Sequence, residues 1–222
     1  GMSRLGWWCH DNRRAYFIDY QGDYRSVRVV ELDTQTGATR ILFEETSKTY
    51  VNLCPDNMDL ENMHVVLPET NELIWWSERS GWGQPYLYDL NTGELKNVVT
   101  QGEWVVRAIL QVDVERRELW IQTAGKVEGR NPYYRDVCRV NMDTGECISV
   151  VSSDHEYCVE RLSYFPIANQ PQQTSGISPC NRYILVTRSR VDQVPVSMLI
   201  DRQGKTLMEL EVADISGLLA EW

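Results

Sequence analysis

The sequence predicts an all-β chain, a β-propeller fragment of about four four-stranded antiparallel blades with a short C-terminal helix. Three observations predict it. A turn motif recurs at nearly constant spacing, apolar runs flank each copy on both sides, and the aromatic side chains suit sheet faces rather than helix stripes.

The turn reads DTQTG at 33–37, DLNTG at 89–93, NMDTG at 141–145 and, shortened, DRQG at 201–204. At each copy the leading Asp or Asn can accept hydrogen bonds from backbone amides two or three residues on. The closing glycine supplies the positive φ that an L-residue resists. The glycines stand at 37, 93, 145 and 204, so the unit repeats every 52–59 residues.

A second set of turns precedes the first. Apolar runs at 15–18, 73–76, 119–121 and 183–186 each follow a polar turn, at 10–13, 68–71, 114–117 and 179–181. Short strand-like segments such as 64–67 and 106–112 come before those turns, and further runs at 40–43, 95–99, 148–151 and 207–212 follow the glycines. Each unit is therefore strand, turn, strand, loop, strand, glycine turn, strand. That places blades at about 5–45, 62–100, 105–152 and 156–213, within a single partial propeller. The stretches 125–132 and 164–174 fall between strands as projecting loops. Only 213–222 reads as helix, with Asp214 or Ser216 as its N-cap. A β-sandwich is the competing all-β fold, and the regular turn spacing argues against it.

Composition narrows the function classes. The 222 residues carry a formal net charge of −10, which disfavours nucleic acid and anionic membranes as partners. No apolar run reaches the roughly 18 residues of a membrane helix. Eight Trp and eleven Tyr stand against three Phe, an excess of rings with one apolar body and one polar tip. Gly1-Met2 opens the chain without the basic and apolar stretches of a secretory signal.

The six cysteines, Cys9, Cys54, Cys138, Cys147, Cys158 and Cys180, form no C-x-x-C pair, which disfavours a zinc ribbon or a thioredoxin-type site. They read as buried or partly buried free thiols. Cys138 and Cys147 flank one turn and face each other if the loop parity is right. His10, His64 and His155 are scattered and read as turn or surface residues. Glu44-Glu45, at the end of an outer strand, reads as a solvated edge charge. The G-x-S-x-G elbow, the phosphate loop and the calcium loop are missing, so neither a catalytic constellation nor a cofactor or metal is expected from this chain.

Residues 73–106, LIWWSERSGWGQPYLYDLNTGELKNVVTQGEWVV, carry a more specific signal. Trp76-Ser77-Glu78-Arg79 with Gly81, then Tyr86, Tyr88, Asp89 and Gly93, then Thr100, Gly102 and Trp104, resemble the N-terminal propeller of the dipeptidyl-peptidase IV family, in the prolyl oligopeptidase group of serine peptidases. Ile177-Ser178-Pro179, Asn181-Arg182-Tyr183 and the run from Pro195 to Asp201 resemble that propeller's last blade. Residues 212–219 resemble the segment leaving it, so the likeness runs from about Leu5 to Leu219.

The resemblance implies an eight-bladed propeller capping an α/β-hydrolase domain that bears Ser, Asp and His. Together they remove dipeptides with Pro or Ala second. A glutamate pair on a helical insertion grips the substrate amine in that family. The insertion precedes the part represented here, and Glu44-Glu45 does not match its context. This chain is then four blades of eight and non-catalytic. A hydrolase domain would follow Trp222, peptide substrate would be met through the parent enzyme, and the location leans extracytoplasmic. The motif residues Trp76 to Trp104 are expected to be structural. A Glu78–Arg79 pair would fix a loop, and Trp75, Trp76, Trp104 and Trp120 would pack between blades.

Two other readings stand beside this one. A stand-alone module binding a peptide or protein on one propeller face would leave two blade edges open, which a homodimer would close into an eight-bladed ring. A carbohydrate-active propeller needs paired carboxylates in one cleft, and the acidic residues here fall mainly at turns and strand ends.

Overall fold

The computed structural model describes residues 6–53, 64–159 and 176–219. It divides into two compact units, residues 1–102 with 142–145, and residues 103–141 with 146–222. Each holds two four-stranded antiparallel sheets in simple up-and-down order.

In the first unit, one sheet comprises β1 (Gly6–Trp8), β2 (Arg14–Tyr20), β3 (Ser26–Asp33) and β4 (Thr39–Thr46). The other comprises β5 (His64–Leu67), β6 (Glu72–Ser77), β7 (Gln84–Asp89) and β8 (Leu95–Val98). Alternation puts Tyr16, Ile18, Val27 and Val29 of the first sheet into one core with Leu73, Trp75, Tyr86 and Tyr88 of the second. Strand β6 is buried on both faces, and the adjacent Trp75 and Trp76 are each only 1% exposed. A strand so enclosed can be apolar at consecutive positions, as LIWW is.

In the second unit, β9 (Val105–Asp113), β10 (Glu118–Ala124), β11 (Arg135–Asn141) and β12 (Cys147–Val151) form one sheet. The other contains β13 (Glu156–Val159), β14 (Tyr183–Arg190), β15 (Gln193–Asp201) and β16 (Thr206–Val212). Ala108, Leu110, Trp120 and Val137 meet Ile184, Val186, Met198 and Ile200 in its core. Burying each such aliphatic side chain contributes roughly 1.5–3 kcal/mol. The architecture is all-β, a β-propeller fragment of four blades.

The repeated turns have the expected chemistry. Asp33 Oδ1 accepts from the amides of Gln35 and Thr36 at 2.9 and 3.0 Å, and Asp201 Oδ1 accepts from Gln203 and Lys205 at 2.9 Å each. Gly93 has φ +82°, and the space where a Cβ would stand is taken by the Leu42 carbonyl of β4, 2.3 Å away. That glycine therefore serves the turn and also lets it seat on the neighbouring sheet.

The earlier turns hold a feature the sequence reading did not anticipate. All four contain a left-handed residue that is not glycine: Asn12, Asn71, Arg117 and Asn181, with φ between 51° and 58°. Asparagine tolerates that region better than most residues, so three of the four had a legible signal.

Of the helix expected over 213–222, the described residues show a single turn, Ser216–Leu219, whose entry is held by Asp214 Oδ1 accepting from the Ser216 amide at 2.9 Å. The loop at 164–174 lies outside the described residues, as does Cys54, whereas 125–132 does join β10 to β11. Among the described residues no helix is long and apolar enough to cross a membrane.

Candidate functional site

The family-like segment converges on a buried carboxylate in the first unit. Glu45, near the end of β4, is 9% exposed. Its Oε1 accepts from the Ser77 hydroxyl at 2.5 Å, and its Oε2 accepts from Trp75 Nε1 and Arg79 Nη2, both at 2.7 Å. Strand alternation explains how neighbours diverge. Glu44 points outward to Arg28 at 3.0 Å, while Glu45 points in. Glu45 is thus a core residue and not the solvated edge charge its position suggested.

Arg79 is the hub of this site. Its Nε donates to Ser77 Oγ at 2.9 Å and its Nη1 to the Tyr88 hydroxyl at 2.6 Å. Its guanidinium carbon lies 4.4 Å from the centre of the Tyr86 ring, a cation–π distance. Burial works against the Arg79 charge, but the Glu45 carboxylate and Tyr88 outweigh it and raise the pKa. Burial likewise pushes the Tyr88 hydroxyl up, with Arg79 opposing. Phe43 stacks on Tyr88 with ring centres 3.9 Å apart. The expected Glu78–Arg79 pair is replaced: Glu78 is exposed, and the arginine's acidic partner comes from a different sheet.

The remaining motif positions frame the same loop. Gly81, with φ +90°, donates its amide to the Glu78 carbonyl at 2.8 Å and turns the chain after Arg79. Trp76 lies against Gly83, where a Cβ would meet its ring at 2.0 Å. Buried Gln84 receives the Thr100 hydroxyl and donates to the Gly102 carbonyl at 3.3 Å. Asp89 Oδ1 accepts from the Asn91 amide at 2.7 Å and so holds the turn that Gly93 closes. In the second unit Trp104 is half-buried, with Lys126 Nζ 5.6 Å from its ring centre, while Trp120 is fully buried.

His64 departs from the surface role expected of it. Its ring lies between Trp7 and Trp75, with centres 5.9 and 6.4 Å away, and burial pulls its pKa down to about 4. His10 is exposed. His155 Nδ1 is 2.8 Å from Ser153 Oγ, and its Nε2 is 2.9 Å from Gln193 Oε1. A neutral amide there cannot stabilise an imidazolium as a carboxylate would, and Ser153 Oγ also meets the Tyr157 hydroxyl at 2.8 Å.

The second unit has its own enclosed ion pair. Arg130, in the 125–132 loop, meets Asp136 of β11 at 2.5 Å, with both side chains buried, and donates to the Ser153 carbonyl at 2.7 Å. At the other end of the β10–β11 ladder, Glu118 of β10 holds both Arg139, at 3.1 Å, and Arg202. The polar groups of Ser77, Arg79 and Tyr88 are thus engaged with Glu45 or with one another. Glu45 has three donors and Arg79 has two side-chain oxygens besides the carboxylate, so the arrangement positions a strand exit and orders a loop.

The protein matches the family described as the dipeptidyl peptidase IV N-terminal region over residues 2–186. It is similar to a solved Bacteroides ovatus protein assigned as a dipeptidyl aminopeptidase IV, at 19% identity and a TM-score of 0.71, covering 96% of this chain and 29% of that one. It is also similar to dipeptidyl peptidase 4 of Porphyromonas gingivalis, at 18% identity and a TM-score of 0.70, covering 97% and 27% respectively. The chain thus spans less than a third of the length of either.

Proposed function

Because the chain belongs to the dipeptidyl peptidase IV N-terminal family, we propose that it is the non-catalytic propeller part of a serine-type dipeptidyl peptidase, walling off a hydrolase domain and restricting entry to peptide ends. The observation carrying this reading is the saturation of the Glu45–Arg79 cluster. Ser77, Arg79 and Tyr88 of the family-like segment spend their polar groups on Glu45 and on one another, which suits a rigid wall.

The test is hydrolysis of Gly-Pro-nitroanilide by this chain and by the full-length parent. Turnover is expected from the parent alone. Activity that copurifies with this chain and survives further purification overturns the proposal.

A second reading, a stand-alone binding module pairing with a second copy, is favoured by β16. All seven of its residues are exposed, Leu207, Met208, Leu210 and Val212 among them, on the edge strand of its sheet. Light scattering giving twice the chain mass in dilute solution supports it, and the single-chain mass counts against it.

A further inference from the structure

Strands β11 and β12 bring two thiols and an ammonium together. Cys138 lies opposite Ser149 and Val140 opposite Cys147, so the cysteines sit on one sheet face, one step apart along the diagonal. A register shift between Val137 and Cys138 distorts the ladder at that point. Lys126, just beyond β10, reaches over both sulfurs, with Nζ 3.2 Å from Cys147 Sγ and 3.7 Å from Cys138 Sγ. The hydroxyls of Thr123 and Ser149 lie 3.7 and 3.8 Å from Cys138 Sγ. Lys126 is in turn placed over Trp104. Cys138 is fully buried and Cys147 half-buried, which leaves the pair open on the Cys147 side.

We propose that Cys138 and Cys147 form a redox-active dithiol, poised by Lys126, that closes to a disulfide when peroxide oxidises it. The cluster explains the direction. Hydrogen bonding from Cys147 lowers the Cys138 pKa to about 6 against the opposition of burial, and Lys126 adds its charge, while the hydrogen bond to Cys138 and burial raise that of Cys147 against Lys126. One proton is thus lost easily and the next is held, which equips the pair with an attacking and a resolving sulfur. A cation is a poorer occupant, because the ammonium repels it and no third metal ligand joins the thiols among the described residues.

The step balances. The Cys138 thiolate attacks the O–O bond of hydrogen peroxide, an S–O bond forms, and hydroxide leaves as water with the proton Cys138 had lost. The Cys147 sulfur then displaces hydroxide from the sulfenic acid, and its own proton completes the second water. Two thiols and one peroxide become one disulfide and two waters.

The test treats the whole chain with hydrogen peroxide, blocks remaining thiols with N-ethylmaleimide, and digests with trypsin without reduction. Cleavage at Arg135, Arg139 and Arg161 separates residues 136–139, holding Cys138, from 140–161, holding Cys147 and Cys158. The expected product is these two peptides linked, with fragmentation placing the bond at Cys147. Compared at pH 5, below the Cys138 value of about 6, Lys126→Met should slow linkage about tenfold, the effect of one pKa unit on thiolate population there. Cys147→Ser should leave Cys138 as a sulfenic acid that dimedone traps, a readout independent of the lysine variant. Recovery of 136–139 as its maleimide adduct, linkage through Cys158, an unchanged rate in Lys126→Met, or no dimedone adduct in Cys147→Ser each overturns the proposal.

Discussion

Glu45 Oε2 lies 2.7 Å from Nη2 of Arg79, although 34 residues separate them in sequence. The pair joins the last strand of one sheet to the loop after the second strand of the next. Through Trp75, Ser77 and Tyr88 it gathers the first unit's family-like residues around one carboxylate.

Removing that carboxylate strands three donors. Glu45→Ala leaves Trp75 Nε1, the Ser77 hydroxyl and the Arg79 guanidinium without their acceptor. Breaking a buried pair costs about 3–5 kcal/mol, and the low end applies because a third of the Arg79 side chain faces solvent. Urea unfolding should show a loss of about 3 kcal/mol. Exposed Glu78→Ala should stay within about 0.5 kcal/mol, and equal losses in the two variants would refute the pairing.

His64 makes stability depend on pH. Its folded pKa, near 4, lies below the ordinary 6.5 because burial disfavours the charged ring. The unfolded chain therefore binds a proton that the folded chain refuses between those values, and stability falls as pH drops from 6.5 to 4. The span corresponds to roughly 3 kcal/mol. His64→Phe should flatten this part of the curve, and parallel curves for wild type and variant would rule His64 out as its source.

Turn glycines should differ sharply in tolerance. Gly37 and Gly93 both have positive φ, but a Cβ at Gly37 meets nothing within 4 Å, whereas one at Gly93 collides with the Leu42 carbonyl. Gly37→Ala should cost about 1 kcal/mol of backbone strain. Gly93→Ala should cost at least twice that, read from denaturant midpoints. A reversed order would mean that the turn does not seat on β4.

Gly83→Ala tests packing without a φ requirement. Its new methyl would overlap the buried Trp76 ring, forcing a shift worth roughly 1–3 kcal/mol. The expected signs are a lower melting temperature and altered near-ultraviolet circular dichroism. Native spectra and an unchanged midpoint would show that the tryptophan moves freely.

Much of the fold was legible because its signals are local. Period-two apolar runs and Asx-Gly turns encode their geometry within a few residues, so the order of strands was readable without knowing what each touches. The site was less so. Glu44-Glu45 was a missed signal, since consecutive strand residues face opposite ways and one of the two had to point inward. His64 carried no such sign, because its burial depends on Trp7, which lies on another sheet. Cys138 and Cys147 were expected to face each other if the loop parity were right; the β11–β12 register instead sets Cys138 opposite Ser149 and Cys147 opposite Val140, so the two share a face along the diagonal.

The sequence by itself determined the repeat, the four antiparallel units and the turns that punctuate them, because backbone preferences and side-chain alternation act over neighbouring residues. Only the tertiary structure decided that Arg79 pairs with Glu45 and not Glu78, that a histidine is enclosed by two tryptophans, and that Lys126 covers two thiols. Each of those depends on how sheets stack and registers align. Burial then sets how much a charge or proton is worth, and no spacing along the chain encodes it.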